Sequence, residues 1–477
     1  MKNWKKILFL LFFVGIFCGC TTKKQEELIM VTEAGFAPYE YYQNGEIVGV
    51  DIDIAKEIAK RLDRKLVIKD ISFDFLINEV KSGKADFAAA GLSVTEERKE
   101  EVDFTELYTT SNQVVVTRKD SNIKTIQDIY DKRIVTQLGT VADLYVSENL
   151  KNATLVTHKK YLSAVESVKT KKADCLILDE APAKEIIKEN PELMILDEIL
   201  FQDQYGMIVK KGNTKLLNEI NGVLKDLMEE GKIEEFVVKH SGVTSTKNDT
   251  GIIASFKKTF LDENRYEFFL SGLCYTIIIS IFSIILGITL GISTCIIRDY
   301  RKETGRLKIL SKLCDIYIYI IRGTPTLLQL MILYYIIFKS IHISPILVGI
   351  LTFGINSGAY VSEIFRAGFE SIDKGQREAA KTLGLSYGKT MRYILLKDAL
   401  IRIFPALGNE MITLVKETSI AGYVGIVELI KAADIISSRT YDYFFPLMVS
   451  AVIYLLLTFL LSKLMKYGER KLNHVSD

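Results

Sequence analysis

Short apolar runs alternate with amphipathic segments along the first half of the chain. From Leu28 onward, LIMVTEAG predicts a strand, VGVDIDIAKEIAKRLD the end of a strand followed by a helix, and KLVIKDI a further strand. The alternation begins again at RIVTQLG and continues to YGMIVKKGN. Strands that alternate with helices predict a parallel sheet with helical crossovers. We therefore predict a bilobal α/β domain over residues 28–242.

The second half of the chain has a different pattern, in which long apolar stretches replace the short runs. They lie near residues 268–297, 316–338, 345–362, 403–423 and 444–462. Each approaches the ~20 residues that a helix needs to cross a bilayer. The pattern predicts an all-α membrane domain over 265–470 with about five transmembrane helices, followed by a cytoplasmic tail at 471–477. The polar stretch VTSTKNDTG lacks periodicity and predicts a flexible linker at 243–264.

Lysine and arginine are concentrated in alternate loops of the membrane domain. Residues 298–312, residues 374–402 and the C-terminal tail are rich in both, whereas the opposite loops hold few. Positive-inside bias places the basic loops in the cytoplasm. With five spans, residues 28–242 then lie outside the cell.

The N-terminus predicts export of the domain that follows it. MKNWKK precedes an apolar run from Ile7 to Phe17, which is typical of a secretory signal peptide over residues 1–20. The ending FCGC, followed by the polar TTKKQEE, resembles a bacterial lipoprotein signal, in which Cys20 would be acylated and held in membrane lipid. An ordinary cleaved signal and an uncleaved anchor helix are the alternatives. Residues 21–27 then form a short linker.

Composition excludes several other classes of function. Lys+Arg 61 against Asp+Glu 59 leaves almost no net charge, so nothing indicates a nucleic-acid partner. Cys175 is the one cysteine of the bilobal domain, and the four histidines of the chain form no metal-ligand pattern, so we expect neither a disulfide framework nor a metal site. Because no nucleophile–base arrangement stands out, we expect a protein without catalytic residues or a cofactor of its own.

A ligand site is predicted in the crevice at the carboxyl ends of the strands. Arg98 follows a predicted strand, and its guanidinium could hold a carboxylate with help from the hydroxyl of Ser93. Asp179 ends the apolar run DCLILD, where it could receive an ammonium group. Phe36 and Phe73 lie at strand-to-helix junctions and could enclose an aliphatic stem. A solvated arginine and ordinary core aromatics are the alternatives.

The segments FAPYEYYQNGEIVGVDIDIAKEI and GLSVTEERKEEVDFTELY resemble type-II periplasmic substrate-binding proteins for polar amino acids. The resemblance covers residues 28–242. It implies that Arg98 binds the α-carboxylate of the ligand, that Asp179 takes the α-amino group, and that the two phenylalanines pack the side chain. The site that it implies consists of Glu33, Phe36, Phe73, Gly91, Ser93, Arg98, Thr140 and Asp179.

Two positions depart from the family pattern. Glu33 stands where an aspartate is common, and Val141 replaces a frequent second hydroxyl. Glu33 could pair with a cationic side chain or accept hydrogen bonds from an amide. We therefore expect a basic or amide-bearing amino acid.

The stretch GLSYGKT at 384–390 invites comparison with a phosphate-binding loop. That motif needs four residues between its first glycine and Gly-Lys-[Ser/Thr], and this stretch has three. The longer segment GQREAAKTLGLSYGKTMRYILLKDAL resembles instead the EAA loop of ABC importer permeases, although Lys397 stands where that family has proline. The resemblance covers about 265–470 and implies that an ATPase docks on Glu378, Ala379, Ala380 and Gly384. An amphipathic connector on the membrane surface is the alternative.

Together the two resemblances imply a substrate-binding protein fused to the permease of a polar amino acid ABC importer in the bacterial plasma membrane. They imply a separate ABC subunit that binds and hydrolyses ATP, and a permease homodimer. Charged residues within spans usually face a pathway or pair between helices, and this applies to Glu363, Glu410, Lys416 and Glu417. A ligand-gated channel or a sensory receptor could use the same binding domain, but both lobes are complete before the first predicted span.

Overall fold

The computed structural model describes residues 26–241, 256–339 and 343–474. The predicted signal peptide with Cys20, residues 21–25 of the first linker, residues 242–255 around the second linker and residues 475–477 of the tail lie outside the described residues. The domain boundaries given above therefore remain predictions.

The first half of the chain folds from short strands joined by helices. Its strands are β1 (Glu27–Thr32), β2 (Tyr41–Gln43), β3 (Glu46–Val48), β4 (Lys65–Asp70), β5 (Phe87–Ala88), β6 (Val102–Arg118), β7 (Arg133–Gln137), β8 (Thr154–His158), β9 (Cys175–Asp179) and β10 (Leu193–Lys210). Its helices are α1 (Val50–Arg61), α2 (Leu76–Ser82), α3 (Glu96–Glu101), α4 (Val141–Asn149), α5 (Tyr161–Lys169), α6 (Glu180–Glu189), α7 (Thr214–Glu229) and α8 (Lys232–His240).

The main sheet has eight strands in the order β4-β1-β5-β10-β6-β9-β7-β8. Strands β4, β1 and β5 are parallel and belong to the first lobe, and β9, β7 and β8 are parallel and belong to the second. The long strands β6 and β10 pair antiparallel and run through both lobes. The bilobal α/β prediction is thus confirmed. The antiparallel pair was not predicted, because it arises where the chain crosses between the lobes.

Each lobe buries its own apolar core against these strands. In the first lobe, Met30 and Phe87 of the sheet pack with Ile54 of α1 and Leu224 of α7, all fully buried. In the second lobe, Val135 and Leu176 of the sheet pack with Ile186 of α6 and other helical residues. The site between the lobes therefore rests on two independently packed supports.

The second half of the described chain is helical. Its α-helices are α9 (Tyr266–Thr304), α10 (Lys308–Gly323), α11 (Thr326–Met331), α12 (Pro345–Glu370), α13 (Lys374–Thr382), α14 (Tyr387–Thr390), α15 (Leu396–Glu417), α16 (Leu429–Thr440) and α17 (Phe444–His474). Tight 3-10 turns at Thr418–Val424 and π-helical turns at Ile332–Ile337 and Met391–Leu395 connect some of them.

Within the described ranges, three helices are long and apolar enough to cross a membrane, namely α9, α12 and α17. A fourth span arises if α10 and Thr326–Ile337 count as one, although they are bent by 112°. The predicted stretch 403–423 falls on α15 and the turn after it. That helix does not qualify by composition because Arg402, Glu410, Lys416 and Glu417 lie along it. The mostly helical membrane domain is confirmed, with three or four such spans against about five predicted.

Small residues let α9 and α12 approach closely. A Cβ atom added at Gly291 would lie 2.6 Å from Cγ1 of Val361, and one at Gly354 would lie 2.6 Å from Cδ2 of Leu286. Small residues at such contacts are how membrane helices gain packing energy without a hydrophobic drive between them. The pair forms the centre of the helical domain.

The two ends of α9 contact different parts of the chain. Near its first residue, the ring of Phe268 packs edge-on against Tyr42 of the first lobe, with centroids 5.6 Å apart. Near its last residues, Asp299 and Glu303 pair with Arg377 of α13 at 3.1 and 3.2 Å. A helix of 39 residues is ~58 Å long. The binding domain and the segment 374–396 thus lie at opposite ends of the helical domain.

Candidate functional site

All eight residues of the predicted ligand site line one cavity between the lobes. The cavity measures about 30 Å³ and also touches Glu40, Gln137 and Val141. The first lobe supplies Glu33, Phe36, Phe73, Gly91, Ser93 and Arg98, and the second supplies Thr140 and Asp179. The sequence therefore located a set of residues that the fold brings together.

Arg98 is buried and bridges the two lobes. It lies on α3, whose N-cap hydroxyl, that of Thr95, accepts a hydrogen bond from the Arg98 N–H. Its guanidinium donates to the carbonyl of Ser93 at 2.6 Å and to that of Gly139 at 2.8 Å. Burial lowers the pKa of Arg98 to about 10, so the side chain is still charged at neutral pH. Its remaining N–H donors can bind an anion.

Asp179 is the last residue of β9, as predicted, and it is held by side chains from the two long strands. Its Oδ1 accepts from Ser111 and Gln113, each at 2.7 Å, and from the hydroxyl of Tyr205. Burial raises the pKa of Asp179, and these three hydrogen bonds oppose that rise. A bound ammonium group would favour the ionised form further.

Glu33 follows β1 and is buried beside Gln137, which donates to Glu33 Oε2 at 2.7 Å. Burial raises the pKa of Glu33 to about 7, against the opposing charges of Lys160 and Lys431 and the hydrogen bond from Gln137. Its protonation state at neutral pH therefore depends on what lies next to it.

The aromatic residues form one wall of the cavity. The Phe36 ring lies against Gly91, where an added Cβ atom would be 2.9 Å from Cε1 of Phe36, and the φ of Gly91 is +53°. The conformation and the contact both require glycine at this position. Phe73 lies in the 3-10 turn Phe73–Phe75, with its ring centroid 5.6 Å from Cζ of Arg98.

Several residues of the site were missed. Gln137 ends β7, so the strand-end argument that found Asp179 could have found it. Asp203 and Tyr205 lie within β10, and Ser93 donates to Asp203. Burial and the charge of Asp179 raise the pKa of Asp203 to about 7. Nothing in the sequence marks these two residues, because they reach the site only through the crossing of the long strands.

The predicted ATPase-docking segment forms a short helical hairpin on α9. Helix α13 ends before Gly384, whose φ of +69° is the left-handed conformation that suits glycine after a helix. Glu378, Ala379 and Gly384 are exposed, whereas Ala380 is buried. Tyr387 donates to Asp299 of α9 at 3.0 Å. The hairpin therefore has a fixed inner side and a free outer side.

The four charged residues predicted within spans do not form one group. Glu363 of α12 pairs with Arg298 of α9 at 2.5 Å, which is the interhelical pairing kept open above, and with Arg366 of its own helix at 2.9 Å. Glu410 accepts from Ser357 at 2.8 Å. On the same helix, Lys416 is exposed and Glu417 is half-buried.

Two family descriptions match the chain, one on each half. Residues 28–243 match the bacterial extracellular solute-binding proteins, family 3. Residues 283–474 match the binding-protein-dependent transport system inner membrane component. The two matches follow the division into a bilobal domain and a helical domain.

Individual relatives repeat this division. A putative glutamine transport system permease protein of Rickettsia typhi is 41% identical over 43% of this chain and 93% of its own length. An arginine-binding extracellular protein of Bacillus subtilis is 28% identical over 50% of this chain and 98% of its own. The solved structure of holo ArgBP from T. maritima is 39% identical over 44% of this chain and 95% of its own, with a TM-score of 0.41.

The permease relative is similar along almost its whole length. The chain therefore belongs to the family of binding-protein-dependent transport system inner membrane components, and it carries a family 3 solute-binding domain in the same polypeptide.

Proposed function

We propose that this chain captures a polar amino acid with a cationic or amide side chain and passes it inward through its own membrane domain. The observation that carries the proposal is the joint position of Arg98, Asp179 and Glu33 around one interlobe cavity. A guanidinium suits the α-carboxylate and a carboxylate suits the α-ammonium. Glu33 is then the group that binds the side chain of the amino acid. The names of the relatives, which refer to glutamine and arginine, support the same ligand class.

ATP hydrolysis is assigned to a separate subunit that docks on the hairpin of α13 and α14. Two large hydrophobic side chains are exposed here, Leu383 in the turn of the hairpin and Tyr393 in the π-helical turn that follows it. Exposed apolar patches of this kind mark contact surfaces. The subunit would bind and hydrolyse ATP there, whereas this chain would supply the binding site and the pathway. Two copies of the membrane domain would form the transporter as a homodimer.

The ligand-gated channel and the sensory receptor are not favoured as alternatives. The helical domain belongs to a permease family, and the permease relative matches it over 93% of its own length. The proposed roles of Glu363, Glu410, Lys416 and Glu417 remain either pathway contacts or interhelical pairing.

The test is amino acid binding to the purified full chain, measured by calorimetry with L-arginine, L-glutamine and L-alanine. We expect L-arginine or L-glutamine to bind tightly. Replacing Arg98 by lysine should weaken binding about a hundredfold, or about 2.8 kcal/mol, because lysine cannot bind a carboxylate with two parallel hydrogen bonds.

The matched control is Arg133→Lys, which changes an exposed arginine paired with Asp174 at 2.7 Å. We expect wild-type affinity from this variant. Tight binding of none of the three amino acids, or undiminished binding by the Arg98→Lys variant, would contradict the proposal.

A further inference from the structure

Helix α16 of the membrane domain contacts both lobes of the binding domain at once. Nζ of Lys431 lies 2.7 Å from Oδ2 of Asp70 in the first lobe, and both side chains are only 6% exposed. Nζ of Lys160 in the second lobe lies 3.0 Å from Oδ2 of Asp434. One short helix thus holds a buried ion pair to the first lobe and a partly exposed one to the second.

The spacing of the two pairs makes them depend on the arrangement of the lobes. Lys431 and Asp434 are three residues apart on α16, so their Cβ atoms lie ~5–6 Å from each other. Their partners, the last residue of β4 and the N-cap residue of α5, come from different lobes and must both lie within reach of this one helical turn. A hinge motion that parts the lobes would separate these partners and leave at least one pair unmade.

The polarity of the contact adds selectivity. The helix offers a positive charge to the first lobe and a negative charge to the second. A lobe in the wrong place would bring like charges together. Loss of the Lys431–Asp70 pair would leave the buried Lys431 without its carboxylate, which is strongly unfavourable.

A neighbouring contact also joins both lobes and the membrane domain. Nζ of Lys159 in the second lobe lies 3.5 Å from Oδ2 of Asp74 in the first. The same Nζ atom lies 4.2 Å from the ring centroid of Tyr423 in the membrane domain. The interlobe ion pair thus also contacts an aromatic ring of the membrane domain.

The contact lies next to the candidate ligand site. A small cavity is lined jointly by Glu33, Asp70, Lys160, Lys431 and Asp434. Burial opposes the charged form of Lys160, but Asp434, Glu33 and Asp70 together raise the pKa of Lys160 above its ordinary value. One lysine therefore lies between the ligand-site carboxylate and the permease helix.

We propose that α16 is a closure-selective docking element, whose Lys431 and Asp434 are both satisfied only by the closed pair of lobes of the same chain. The proposal rests on the proposed function in one respect, namely that an amino acid closes the lobes. Docking to α16 then stabilises the closed, ligand-holding arrangement. By linkage, the contact raises the affinity of the full chain for its amino acid.

The test is the affinity of the full chain for L-arginine and L-glutamine, measured by calorimetry for Lys431→Gln, Asp434→Asn and the double variant. We expect each single change to weaken binding of whichever amino acid binds the wild type by at least tenfold. The double change should weaken it no more than about threefold further, because losing either contact already removes the docked state. Two independent contacts would multiply to about a hundredfold, and that outcome overturns the proposal, as does an unchanged affinity.

Three variants guard against misfolding as the cause. Lys431→Arg and Asp434→Glu keep the charges and should retain affinity within about threefold. Lys258→Gln removes an ion pair to Glu189, which belongs to the second lobe alone. Because a one-lobe contact persists whether the lobes are open or closed, this change should leave the affinity unaltered. If the wild type binds neither amino acid, the proposed function fails instead, and the two failures are thereby distinguished.

Discussion

At the scale of single residues, the candidate site contains two carboxyl groups whose protonation at neutral pH depends on the charge of a neighbouring ligand. Glu33 and Asp203 both have pKa values raised to about 7, chiefly by burial. Arg98 is held to the carbonyls of both lobes and stays charged. The site therefore combines one fixed cation with carboxyl groups that respond to the ligand.

The number of protons released on binding tests whether Glu33 contacts the side chain of the ligand. A guanidinium placed beside it would lower its pKa from about 7. At pH 7, where about half of the Glu33 carboxyl groups carry a proton, binding of L-arginine should therefore release about half a proton more than binding of L-glutamine. Calorimetry in two buffers of different ionisation enthalpy measures this difference.

The Glu33→Gln variant is the control for this measurement. It removes the titrating group but keeps its size, so both amino acids should then release equal numbers of protons. An unchanged difference in the variant would show that another group titrates.

At the scale of elements, the hairpin of α13 and α14 combines an anchored side with an exposed one. Leu383 is 77% exposed at its turn. Replacing it by aspartate should reduce co-purification of the proposed ATP-binding subunit at least tenfold, because an apolar contact would then have to bury a charge. Binding of L-arginine or L-glutamine should stay within about twofold of the wild type.

The control for the hairpin is Val238→Asp, which changes an equally exposed apolar residue, 74% exposed, in the binding domain. Co-purification of the proposed ATP-binding subunit should not change. Equal losses from the two variants would show that the hairpin is not the specific contact.

Much of this organisation could be predicted from local sequence. Strand ends located Asp179, and the order of apolar runs gave the two lobes. The bend after α10 also has a local cause in the stretch RGTP, because proline lacks a backbone N–H and restricts the residue before it. The span count was harder, because the helix that covers much of 403–423 is apolar but carries several charges.

Other features could not be predicted because they depend on contacts between distant segments. Tyr205 reaches Asp179 only because β10 crosses between the lobes. Lys431 and Asp434 look like ordinary polar positions of an amphipathic helix until both lobes are packed against them.

At the scale of the whole molecule, the 39-residue helix α9 separates the binding domain from the hairpin of α13 and α14. In spheroplasts, a cysteine introduced at Val238 should react with an impermeant maleimide, since its lobe lies outside. A cysteine at Leu383 should react only after the membrane is permeabilised. The native cysteines should be replaced first, because Cys274 is exposed.

Labelling of the cysteine at position 383 in intact spheroplasts would place the hairpin outside the cell. No cytoplasmic ATP-binding subunit could then reach it, and the assignment of ATP hydrolysis to such a partner would fail.

The joining of a solute-binding domain and a permease domain in one polypeptide has a consequence for supply. Where the two domains are separate proteins, a cell can make many binding proteins for each permease and so collect a scarce nutrient. Here every additional binding domain is synthesised with its own permease domain, so the ratio of the two domains is fixed. Making more of this chain raises uptake by adding whole transporters, but it cannot raise the number of binding domains for each permease domain.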